Sequence, residues 1–107
     1  KWTMMVMVPA VVSQEMFDAA IAKTGKKLGS PPGSLRFETY AEGLSLQILH
    51  VGSYDAEGPV LARLHEEVMP AKGVTFNGPH HEIYLSDPRR VEPSKCKTIL
   101  RQPVVPA

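Results

Sequence analysis

The chain has 107 residues, enough for one small domain with a small hydrophobic core. Twelve Lys and Arg against eleven Asp and Glu give a formal net charge of +1, so no basic excess indicates a nucleic-acid partner. No apolar run approaches the roughly 20 residues of a membrane-spanning helix, and no membrane partner is expected. The single cysteine, Cys96, excludes an internal disulfide and favours a reduced, cytoplasmic setting.

The first 40 residues predict a strand, a helix and a second strand. Residues 2–8 form a mainly apolar run whose length favours a strand. Ser13 is a suitable N-cap for a helix whose apolar face includes Phe17. Residues 35–40 predict another strand after a Pro- and Gly-rich loop. Because the chain is already strand-like at Trp2, we expect residues 1–107 to be a single domain that is truncated at its N-terminus.

The remaining residues predict one strand–helix–strand–strand unit. Residues 44–51 predict a strand, a helix opens at Glu57, and another strand begins at His80. A last strand is predicted at Thr98–Gln102, with Pro103 as its end. The pattern therefore predicts an α+β fold with a mainly antiparallel sheet and helices packed on one face, built on a βαββ unit.

The strand at His80 presents two different faces, because successive side chains in a strand point to opposite sides. One face is polar and carries His80, Glu82, Tyr84 and Ser86. The other carries His81, Ile83 and Leu85, and its apolar character favours a core covered by a helix. The polar face is the predicted wall of a binding site.

Glu82 is the strongest candidate for chemistry, because a carboxylate between apolar neighbours is costly to desolvate unless it is paired or serves a ligand. It suits a counter-charge for a cation, a general base, or a group that orients water. Tyr84 on the same face suits a wall that stacks on a flat ligand. The alternative is an exposed sheet face on which Glu82 forms a salt bridge, for instance with Arg101. Trp2 is either a core residue or an aromatic pocket wall.

Other polar groups give weaker patterns. His80 and Glu82 share a face, but His50 and His65 lack metal-ligand spacing to them, so neither a metal nor another cofactor is predicted. Residues 87–90 (DPRR) most simply cap a turn, and a phosphate site there would lack a Gly-rich cradle. Cys96 between two lysines is more often inert than catalytic.

Several segments together resemble one known family. Residues 80–90 (HHEIYLSDPRR) and 97–104 (KTILRQPV) resemble the C-terminal part of GyrI-like small-molecule-binding domain proteins. Supporting matches are residues 42–52 (EGLSLQILHVG), followed by Tyr54-Asp55, and residues 2–5 (WTMM). The matched segments are also similar to the stand-alone subgroup that resembles cyclopropanoid hydrolases.

The resemblance implies a fold of two βαββ units with a ligand groove between them. The second unit is complete in this sequence, and the first is only partly present, as a last strand at Trp2–Val8. The family's groove carboxylate matches Glu82 and the aromatic residue after it matches Tyr84. Trp2 matches a groove aromatic, Tyr54 is a further wall residue, and His80 lies on the same strand face.

Three hypotheses follow for function. The first is a module that binds bulky hydrophobic, aromatic or cationic small molecules, like the effector domains of some transcription regulators. The second is a hydrolase of detoxification or self-resistance that adds water to the strained cyclopropane of DNA-alkylating compounds, with Glu82 and Tyr84 as catalytic residues. The third is a homo-oligomeric interaction module, and a homodimer that rebuilds the groove is also compatible with the first two.

Overall fold

The computed structural model describes all 107 residues and divides them into two compact units, Lys1–Tyr40 and Ala41–Ala107. We call them the N-terminal unit and the sheet unit, and each is described by itself. None of the helices combines the length and the apolar character needed to cross a membrane.

The N-terminal unit contains one helix, α1, at Gln14–Leu28. The predicted cap is confirmed: Ser13 Oγ accepts a hydrogen bond from the backbone N–H of Met16 at 3.2 Å. The ring of Phe17 stacks on that of Phe37 with a centroid separation of 5.1 Å. Ring stacking therefore joins the helix to the segment that follows it within this unit.

The two strands predicted in the N-terminal unit are wrong. Residues 2–8 and 35–40 are irregular, and the Trp2 side chain is 79% exposed. A β-preferring sequence forms a strand only when another strand satisfies its backbone groups and packs against its side chains. No strand of the structure pairs with either segment, so their local preference has no partner to act on.

The sheet unit contains an antiparallel sheet centred on its last strand. The strands are β1 at Ser45–Val51, β2 at Val74–Phe76, β3 at His81–Tyr84 and β4 at Lys97–Pro106. Strand β4 pairs antiparallel with β1 along one edge and with both β3 and β2 along the other. The predicted α+β class and βαββ order are confirmed, with β2 and β3 forming one edge strand in two pieces.

The predicted end of the last strand at Pro103 is wrong, because β4 continues to Pro106. The carbonyl of Pro103 accepts a hydrogen bond from Asn77 N at 2.9 Å, so its nitrogen faces the loop between β2 and β3. A missing N–H is tolerated at this interruption of the edge strand. The Gln102 side chain donates to Gly78 O at 2.9 Å and holds the same loop.

A continuous helical segment follows β1. It comprises a 3₁₀ turn at Tyr54–Ala56, α2 at Glu57–Arg63, a π-helical turn at Leu64–Val68 and α3 at Met69–Ala71. The buried apolar side chains of this unit come from this segment and from β4 and its approach: Leu64, Met69, Cys96, Leu100 and Val104. Burial of apolar area between the segment and the sheet is therefore the main source of stability here.

The helical segment covers the sheet face that carries Glu82, and the prediction that it covers the Ile83 face is wrong. In the strand register Glu82 lies opposite Leu100, whereas Ile83 lies opposite Ile99. Leu100 is fully buried and Ile99 is only half-buried. The buried face is thus decided by the apolar residues of β4, which outweigh the polar pattern of β3.

Candidate functional site

Glu82 and Tyr84 lie at the margin of the core on the helix-covered face. Their partners in the register are Leu100 and Thr98 of β4, and both of those residues are completely buried. The Glu82 side chain is 31% exposed. This carboxylate is consequently partly desolvated and still reachable from solvent.

A second carboxyl group, that of Glu57 at the start of α2, faces Glu82. Glu57 is only 5% exposed, and sequence reasoning did not single it out. The pattern contained the necessary signal, because Glu57 precedes Leu61 by four residues and Leu64 by seven. This spacing places Glu57 on the buried apolar stripe of the helix rather than on its solvent side.

The pKa of Glu57 is raised from 4.5 to about 7. Burial is the largest cause, followed by the hydrogen bond and negative charge of the neighbouring Glu82. The hydroxyl of Thr98 and the charge of His50 act in the opposite direction and offset part of the rise. Glu57 therefore holds a proton over much of the range below neutrality, next to Glu82.

Two buried oxygen atoms of this cluster keep hydrogen-bonding capacity. Neither Glu57 Oε1 nor Thr98 Oγ1 completes a hydrogen bond of good geometry with another protein group. Buried polar atoms without partners are uncommon in proteins and are concentrated where a ligand or water completes the network. The pair marks the floor of the candidate site as polar.

Two tyrosine rings form an aromatic wall beside the carboxyl groups. The centroids of Tyr54 and Tyr84 lie 5.3 Å apart with the rings tilted by 59°. Burial raises the pKa of the Tyr84 phenol, and the charges of Glu82 and Glu57 raise it further. Burial also raises the pKa of Tyr54, with smaller contributions from nearby acidic groups. Both phenols remain protonated hydrogen-bond donors at neutral pH.

Two histidines flank the carboxyl pair. His80 Nε2 lies 3.5 Å from Glu82 Oε2. His50 is buried, and its Nε2 lies 2.9 Å from Ser53 O. Gly52, at φ 147°, gives this ring its space, because a Cβ there would lie 3.3 Å from it. No three His, Cys, Asp or Glu side chains are arranged to hold a metal ion.

Arg101 lies on the opposite face of the sheet, so its suggested salt bridge with Glu82 is absent. Its Nη1 lies 2.9 Å from Glu42 Oε2, and Glu42 Oε1 lies 3.1 Å from His81 Nδ1. Burial of Glu42 acts to raise its pKa, but hydrogen bonds and positive charge from Arg101 and His81 outweigh burial and lower it. The site around Glu82 is thus left without a guanidinium.

Comparison with known proteins identifies the family. Residues 5–104 match the model of the GyrI-like small molecule binding domain. The chain belongs to this family. No curated protein matches it significantly.

Solved structures from Listeria innocua resemble this GyrI-like domain. An uncharacterized conserved protein matches with a TM-score of 0.81 and 35% sequence identity over 92% of this chain and 50% of its own. A protein described as a hydrolase matches with a TM-score of 0.71 and 36% identity over 92% and 52%. A second hydrolase, encoded by lin2189, matches with 0.70 and 37% over 92% and 50%. The chain spans about half the length of each of these structures.

Of the residues predicted for the site of this GyrI-like domain, the structure brings four together: Glu82, Tyr84, Tyr54 and His80. Trp2 belongs to the N-terminal unit, and its role as a site wall stays a prediction. That unit contains its own apolar groove of about 410 Å³, lined by α1 side chains such as Phe17 and Ile21 and by Pro31 and Leu35. None of the lining side chains is charged, so the groove offers no anchor for an ionic ligand.

Two further predictions concern residues outside the site. Asp87 accepts two hydrogen bonds at 3.1 Å from the Arg89 guanidinium, which fits the expected turn. Cys96 is 3% exposed, and its thiol lies 3.9 Å from Val91 O. A buried thiol in such a position is a packing residue.

Proposed function

We propose that this GyrI-like domain binds bulky aromatic cations, with the Glu82 carboxylate as counter-charge and Tyr54 and Tyr84 as walls. The supporting observation is the tilted ring pair, 5.3 Å between centroids, on the face that carries Glu82. Aromatic faces attract cations, and a partly desolvated carboxylate adds the opposite charge. The family's small-molecule-binding character supports the same conclusion.

The charge distribution favours a cation over an anion. Glu57 and Glu82 contribute the acidic groups of the site, and Arg101 is held on the opposite face by Glu42. The imidazole of His80 beside Glu82 is the nearest group that can carry positive charge. An anionic ligand would meet uncompensated carboxylate here, whereas a lipophilic cation would find both charge and aromatic contact.

The test is a fluorescence titration with ethidium, a permanent planar monocation, and with uncharged phenanthridine as the neutral analogue. We expect ethidium to bind more tightly than phenanthridine and Glu82→Gln to weaken ethidium at least tenfold, about 1.4 kcal/mol. Glu66→Gln is the matched control, because Glu66 is an exposed carboxylate on the helical segment. Equal ethidium affinity in wild type and Glu82→Gln would contradict the proposal.

We also propose that a second βαββ unit completes the groove, either in a longer chain or in a partner copy. The matched solved structures, about twice as long as this chain, support the need for a second half. Light scattering with and without ethidium distinguishes the two sources. A dimer whose melting temperature rises with ethidium indicates a groove shared between copies, and a monomer that ignores ethidium indicates that the longer chain is required.

A second candidate is hydrolysis of strained cyclopropane-bearing, DNA-alkylating compounds. Two similar structures are described as hydrolases, and the carboxyl pair is suited to proton transfer. In this reaction Glu82 takes a proton from water as the oxygen bonds to a ring carbon. The ring C–C bond breaks and its electrons move to a conjugated carbonyl oxygen, to which the Tyr84 phenol donates a hydrogen bond.

The hydrolase test measures water addition to such a cyclopropane compound by chromatography. We expect Glu82→Gln to lower turnover by at least 100-fold, and Tyr84→Phe to lower it by about tenfold. Glu66→Gln again serves as the control. Turnover that survives both site variants would exclude this mechanism while leaving ligand binding open.

A further inference from the structure

The candidate site contains two carboxyl groups and no fixed positive charge. Glu57 comes from the start of α2 and Glu82 from β3, and they meet across the interface between helix and sheet. The groups that face Glu57 are Glu82, the Thr98 hydroxyl, the His50 imidazole and the phenols of Tyr54 and Tyr84. His80 is the ring beside Glu82. No lysine or arginine is among these groups.

Two adjacent carboxylates in a partly desolvated site repel each other strongly. The arrangement of lowest energy keeps one proton on the pair, as in other carboxyl dyads. The more buried partner retains it, because burial disfavours the charged form. Glu57 is 5% exposed, whereas the Glu82 side chain is 31% exposed. The proton therefore resides mainly on Glu57 and the negative charge mainly on Glu82.

We propose that Glu57 sets the charge of the ligand that the site accepts. With its proton in place the site presents one negative charge and is matched to a monocation. A dicationic aromatic ligand binds with the second charge matched only when Glu57 releases its proton to solvent. This inference rests on the proposed function, because it needs Glu82 to be the anchor for a cation.

Ethidium and propidium provide a direct test, because they share one phenanthridinium ring and carry one and two permanent positive charges. Calorimetric titration at pH 6 in two buffers of different ionisation enthalpy counts the protons released on binding. We expect propidium to release close to one proton more than ethidium. The difference falls toward zero at pH 8, where Glu57 is already largely ionised.

Variants identify the source of the proton. Glu57→Gln is expected to abolish the extra proton release by propidium, and Glu66→Gln to retain it. His50→Gln and His80→Gln are also expected to retain it. Loss of the release in either histidine variant would assign the proton to an imidazole and overturn the inference. If Glu57→Gln does not fold, the wild-type comparison still decides, because equal proton counts for the two dyes overturn the inference.

This inference and the proposed function fail in different ways. If ethidium does not bind, or binds equally well to Glu82→Gln, the proposed function itself is wrong. If ethidium binding depends on Glu82 while propidium releases no additional proton, only the role of Glu57 is wrong.

Discussion

Arg101 Nη1 lies 2.9 Å from Glu42 Oε2, on the sheet face opposite Glu82. Arg101 also donates to Gln47 Oε1 at 2.9 Å, so two acceptors fix its guanidinium. Because side chains alternate along β4, this guanidinium cannot reach the Glu82 face without disrupting the register. The pairing thus separates the strand's only arginine from the candidate site.

Removing the guanidinium is expected to destabilise the protein. In Arg101→Met the Glu42 carboxylate, whose side chain is 9% exposed, loses its strongest partner. We expect a decrease of about 2 kcal/mol in the free energy of unfolding, measured by urea denaturation at pH 7. Arg36→Met is the matched control, because the Arg36–Glu38 pair is exposed and contributes little. Equal losses in both variants would contradict this account.

Glu42 also predicts a dependence of stability on acid. Its pKa is lower in the folded chain than the ordinary 4.5, so its contribution is present above about 4.5 and lost as pH falls below that value. Glu42→Gln is expected to flatten the stability profile below pH 4.5. Denaturation at pH 3 and pH 6 measures the change. Glu38→Gln, at an exposed position, is expected to leave the slope as it is.

Glu57 predicts the opposite dependence. Its pKa is raised to about 7, so its contribution is fully present below about 4.5 and lost as pH rises toward 7. Glu57→Gln cannot ionise and is expected to be more stable than wild type at pH 8 by up to about 3 kcal/mol. The advantage disappears near pH 4. An advantage that does not change with pH would indicate a packing effect instead.

The phenol of Tyr84 reports the charge of Glu82. Burial is the main cause of its raised pKa, with Glu82 the largest charge contribution. We expect Glu82→Gln to lower the Tyr84 pKa toward 10 without reaching it, measured by NMR of labelled tyrosine. Tyr54 provides the internal comparison, because Glu82 is not among the charges that raise its pKa. Equal decreases at both rings would imply a general loosening of the site.

The core prediction concerns Leu100, which is fully buried in β4. Leu100→Ala leaves a cavity and is expected to lower the free energy of unfolding by about 2–5 kcal/mol. Leu85→Ala, at a side chain that is 55% exposed, is expected to cost less than about 1 kcal/mol. Thermal or urea unfolding of both variants measures the difference. A similar cost at the two positions would show that the core lies elsewhere.

Sequence reasoning predicted the elements whose local pattern agrees with their tertiary partners. Helix α1 and its Ser13 cap, strand β1 and the start of α2 follow from capping, alternation and apolar spacing. The same patterns failed for residues 2–8, where β-preference has no pairing strand. Pro103 misled for a related reason: its tolerance depends on an interruption in the neighbouring strand that its own sequence does not reveal.

The site was predicted in half. Glu82 and Tyr84 stand out because a polar pair interrupts an apolar strand. Glu57 does not stand out, because an acidic residue at the start of a helix is ordinary. Its significance arises only when α2 is placed on the sheet, which brings two carboxyl groups from distant parts of the chain together.

Strand β4 makes every strand pairing in the sheet unit. While the ribosome is still elongating the chain toward residue 97, no two strands of this unit have each other as partners, and no part of the sheet can form. Leu49, Val51 and the other exposed apolar residues of β1 must wait during that interval in a sticky, unpaired state. Folding of this unit is therefore expected to follow synthesis of residues 97–106 rather than accompany it, which makes the nascent chain a natural client for chaperones.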